Sequence, residues 1–87
     1  MNLPEHPTRA EIIFELLVYG CQNEPKNQWL ASYLLHSIPI DEIMGGKLLV
    51  RPLTIQASIA LAFNLATLKR TLNEFEPDLE IMILKSL

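Results

Sequence analysis

The run from Pro52 to Phe75, PLTIQASIALAFNLATLKRTLNEF, constrains this chain most: it carries no charge before Lys69, no glycine, and proline only at its first position. Proline is tolerated in a first helical turn, where its missing N–H would have no partner anyway. The run therefore predicts one long helix over 52–75. A helix so apolar cannot be left in water, and the rest of the chain must be shaped to cover it.

Spacing gives this helix two apolar sides. Leu61, Leu65, Leu68, Leu72 and Phe75 recur at alternating intervals of four and three, which places them on one stripe. Ile55, Ile59 and Phe63, joined by Ala62 and Ala66, make a second stripe, bordered by Gln56, Asn64, Thr67 and Thr71. A peripheral helix needs only one apolar stripe. Two imply either a central place in the chain's own fold or a surface shared with a partner.

Size limits what can cover it. A chain of 87 residues is expected to form one domain, 1–87, burying about 60–65% of its unfolded surface. Association would help so small a core. With 49% hydrophobic and 20% charged residues the composition is globular rather than disordered. The lone cysteine, Cys21, excludes an internal disulfide framework and fits a reducing, cytoplasmic setting. The start, MNLPEHPTRAE, lacks the basic and apolar runs of a secretory signal. Leu53 to Leu68 is the one transmembrane candidate, but it is short and contains Gln56, Ser58 and Asn64, so a buried soluble helix is the better reading.

Local signals then divide the chain. Residues 1–7, with Pro4 and Pro7, form an extended arm. Thr8 and Glu11 have the capping-box spacing, which starts a helix over 9–20 that Gly20 would end in a left-handed cap. Pro25 restarts the chain for a helix over 25–37, with Leu30, Ala31, Leu34 and Leu35 on one face and Trp29, Tyr33 and His36 in a neighbouring row. Ile38-Pro39 stops it. Asp41 could cap a short turn of helix through Met44, Gly45-Gly46 supplies a flexible corner, and Leu48 to Val50 reads as an extended arm or short strand. After Pro77, acidic Asp78 and Glu80 favour a short terminal helix over 77–86. The rival is a strand, since Leu79, Ile81 and Ile83 alternate with Glu80 and Met82, and Leu48 to Val50 would be its mate.

The fold class so predicted is all-α, a small bundle of three main helices plus one or two short elements; the alternative is α+β with a two-stranded pairing of 48–50 and 79–84.

Chemistry-bearing groups are sparse. Metal ligation needs converging Cys, His, Asp or Glu, and beyond carboxylates the chain offers only His6, His36 and Cys21. No metal, cofactor or catalytic residue is assigned. Cys21 with His36 lacks an orienting third group for nucleophilic catalysis. Gly45-Gly46-Lys47 is not a P-loop, lacking the upstream glycine and the following Ser or Thr. The net charge of -3, with basic residues scattered singly apart from Lys69-Arg70, argues against nucleic acid as the main ligand.

Three function classes remain as expectations. The first is a non-catalytic protein-protein interaction module, an adaptor, assembly factor or inhibitor, presenting an apolar helical face to a partner or to its own copy as a dimer. Its candidate contact residues are Trp29, Tyr33, Ile55, Ile59 and Phe63, aromatic and large aliphatic groups of the type enriched at interfaces. The second is a small dimeric nucleic-acid-linked regulator of antitoxin-like type. The third is a small enzyme built at a dimer interface, for which Arg51, Arg70, Gln56 and Asn64 would have to converge.

Overall fold

The computed structural model describes residues 6–86, and most of the expected arm over 1–7 lies outside that range. Helix α1 (Arg9–Gln22) starts where the capping box places it. The Thr8 hydroxyl accepts from the Glu11 backbone N–H at 3.1 Å, and the Glu11 carboxylate accepts from the Thr8 N–H at 3.0 Å. The helix does not stop at Gly20: it continues to Gln22, and Asn23 is its C-cap.

A turn of 3₁₀-helix over Pro25–Asn27 leads into α2 (Gln28–Leu34), shorter than the 25–37 expected. Leu35 is its C-cap, and the Tyr33 carbonyl in its last turn accepts from both the His36 N–H and the Ser37 hydroxyl at 3.0 Å. Ser37 itself already belongs to β1 (Ser37–Pro39), which pairs antiparallel with β2 (Lys47–Pro52). Between them, Gly45 and Gly46 have φ of +58° and +72°, and Met44 and Lys47 exchange both backbone hydrogen bonds. That is a two-residue hairpin of the kind that requires positive φ at both central positions, a defined turn rather than a flexible corner.

The all-α expectation is therefore wrong; the architecture is α+β. The run over 52–75 is not one helix. Pro52 closes β2, where a residue without an N–H costs nothing at a strand end, and Thr54 caps α3 (Ile55–Ala62) by accepting from the Ala57 N–H at 3.0 Å. A second break follows at Asn64. Its side-chain amide donates to the Ala60 carbonyl at 2.7 Å, the acceptor that its own backbone N–H would use in a continuous helix. The backbone N–H goes to Leu61 instead, at 3.2 Å, and α4 (Leu65–Asn73) sets off anew.

The expected terminal helix over 77–86 is likewise a strand, β3 (Glu80–Ile83). It lies parallel to β2, Leu48 opposite Ile81 and Val50 opposite Ile83, so the sheet order is β1-β2-β3. A run as short as this is compatible with either element by periodicity; the partner decides. Here Leu48 and Val50 are fully buried and the β-branched Ile81 and Ile83 pack on the same core.

The molecule is thus a helical layer on one face of a three-stranded sheet. Leu17 from α1, Leu30 and Leu34 from α2, Leu61 from α3, and Leu68 and Leu72 from α4 are all at most 1% exposed against that face. The opposite sheet face carries Ile38, Leu49, Arg51 and Met82, half-buried or exposed. No helix among the described residues is long and apolar enough to cross a membrane.

Candidate functional site

Burial separates the two stripes of the 52–75 run. Leu61, Leu68 and Leu72 of the first stripe are sealed in the core, while Leu65 is 40% exposed and Phe75 lies beyond the end of α4. The second stripe faces water: Ile55 is 70%, Ile59 54% and Phe63 84% exposed, with Leu53 exposed just before them. Residues 55, 59 and 63 share one side of α3 by their four-residue spacing. Ala57 and Leu61, fully buried, define the opposite side, so the row points directly away from the core. Gln56, Ala62 and Ala66 beside it are exposed and uncharged.

Single exposed apolar residues are ordinary on a protein surface. Four large ones along and just before a helix without a charged side chain are not. A charge-free face has no electrostatic means of choosing a ligand, and what it can do is exclude water against another apolar surface.

The remaining two expected contact residues stand elsewhere on the chain. Trp29 lies on α2, its indole N–H donating to the Lys26 carbonyl at 2.9 Å and its ring meeting Tyr33 edge-on at 6.1 Å. Tyr33 is half-buried and packs on the core. Trp29 is 47% exposed, while Tyr33 backs the core.

A polar cleft of about 430 Å³ opens between the C-terminal ends of α1 and α4. Tyr19, Lys26, Arg70, Glu24 and Glu74 reach its wall. Sequence reasoning missed it because its residues come from two stretches, 19–27 and 70–75, that are far apart in the chain. Of the four polar groups an enzyme reading would bring together, Arg70 alone lines it. Gln56 is exposed on α3, the Asn64 amide is held by Ala60, and Arg51 sits on the outward face of β2 with a buried Nε that has no hydrogen-bond partner.

The floor of this cleft explains Gly20. A methyl group there would come within 2.7 Å of Thr71 Cγ2 and 3.0 Å of Phe75 Cε2, so the glycine permits α1 and α4 to approach. One residue on, Cys21 is buried at the same junction, and burial raises its thiol pKa against a smaller lowering by the Thr71 hydroxyl hydrogen bond. His36 is exposed in the turn after α2. Among the described residues no group of three His, Cys, Asp or Glu side chains could hold a metal ion. Lys69, one of the two adjacent basic residues, is bonded to Glu80 at 2.7 Å.

Comparison with known proteins finds no matching family model, no matching curated relative and no matching solved structure.

Proposed function

We propose that the protein is a non-catalytic interaction module that works by burying the outward face of α3 against another protein surface, in a reducing compartment such as the cytoplasm. The observation that carries this is the row Ile55, Ile59, Phe63, more than half exposed at every position on a helix whose other side is sealed in the core. Apolar patches on monomers are mostly no larger than a few hundred square ångströms, and larger ones mark interaction sites. Free Cys21 is fully buried and compatible with a thiol-reducing milieu.

The two stripes allow folding and association to be tested apart. Phe63→Glu places a charge where water already reaches and should leave the circular dichroism spectrum and thermal midpoint close to wild type, while abolishing association seen by crosslinking and capture. Leu68→Ala should do the converse, costing about 2–5 kcal/mol of stability by emptying a core position. Retention of every bound species by Phe63→Glu would overturn the reading.

A further inference from the structure

The geometry points to a second copy of this chain as the occupant of that face, joined α3 to α3 about a two-fold axis near Ile59; this rests on the reading of the face as an interaction surface. Area supports it. Leu53, Ile55, Ile59 and Phe63 are exposed by 43, 70, 54 and 84%, and Leu35, 64% exposed, lies at the same end, where the His36 carbonyl accepts from the Leu53 N–H at 2.8 Å. Taking roughly 200 Å² for a fully exposed phenylalanine and about three quarters of that for leucine or isoleucine, these five leave on the order of 500 Å² in water. Gln56, Ala62 and Ala66, exposed among them, bring the face to about the 600 Å² per partner at which stable, specific interfaces begin.

Self-complementarity supports it further. In a two-fold contact each residue meets its counterpart reciprocally, so a face carrying charge of one sign would repel itself. The outward side of α3 has no Asp, Glu, Lys or Arg. The outward sheet face does: Arg51 stands at its centre between Ile38 and Leu49, and stacking two copies there would set like charges together. An antiparallel α3 pair centred on Ile59 puts Phe63 over Ile55 of the second copy at both ends. Ala62 on the same side lets the helices approach closely, and opposed macrodipoles favour that direction.

The test is sedimentation of the full chain over a micromolar to sub-millimolar range, with oxidative crosslinking of Ile59→Cys and, as a control site on α1, Glu15→Cys. The expected result is a dimer whose dissociation constant rises about 100-fold or more in Phe63→Glu, which buries a carboxylate in an apolar contact. Ile59→Cys should crosslink to itself and Glu15→Cys should not. A wild-type chain that stays monomeric throughout overturns the dimer while leaving the interaction reading to the capture experiment. A dimer unaffected by Phe63→Glu, or one that crosslinks through Glu15→Cys instead, overturns the assignment to this face.

Discussion

At the scale of single residues, Gly20 and Cys21 do what their neighbours in space require. Gly20 lies inside α1, where glycine costs about 1 kcal/mol relative to alanine. The 2.7 Å that would separate an alanine methyl from Thr71 Cγ2 outweighs that gain. Gly20→Ala should therefore destabilise by about 1–3 kcal/mol, read as a lower urea midpoint, because Thr71 is itself buried and its hydroxyl is tied to the Thr67 carbonyl. Cys21 gives a pH signature. Burial favours its neutral form, so its folded pKa lies above the ordinary value of 9.0. Its contribution is whole below that value and is lost as the pH rises past it, since the unfolded thiol ionises first. Denaturation midpoints should fall above pH 9 in wild type and fall less in Cys21→Ala, and a thiol reagent should label the native protein only as fast as it opens.

At the scale of elements, each sequence signal works as far as its partner is local. Thr8 and Glu11 are three residues apart, and the start of α1 follows from them alone. Thr54 is equally local, but Pro52 offers a competing start and obscures it. Asn64 is the signal that divides 52–75: a short amide that competes with the backbone in mid-helix, easily outvoted by the apolar residues around it. Asn73 is a third local device, reaching from the end of α4 to donate to the Glu76 and Leu79 carbonyls at 2.9 and 2.8 Å. Those two bonds fold the loop that delivers Glu80 to the sheet. Asn73→Asp removes both donors and faces two carbonyls with a carboxylate; a loss of about 1–3 kcal/mol is expected, with faster amide exchange in β3 than in α1. The Lys69 to Glu80 ion pair beside it is half-exposed on both sides and offsets little of that loss.

At the scale of the whole molecule, what the residues conceal is non-local. The pairing of Leu48 with Ile81 and Val50 with Ile83 joins segments separated by two helices; it is the pairing of the α+β alternative, with Leu48 to Val50 extended as read, but the helix-or-strand choice over 77–86 is left open by spacing and settled only by the partner strand. The common side of Ile55, Ile59 and Phe63 is legible, because helical spacing alone sets it. That Tyr33 packs on the core while Trp29 stays about half exposed is not, since it depends on how α2 is seated. The parallel seam between β2 and β3 has one more consequence. During synthesis the β1–β2 hairpin and all four helices leave the ribosome before the residues that complete the sheet. Until Ile83 is available, one edge of the central strand stands open, with Leu48 and Val50 beside it. A chain interrupted after α4 would carry nearly all of the core and an unpaired strand edge, and such a fragment would recruit its own kind into aggregates.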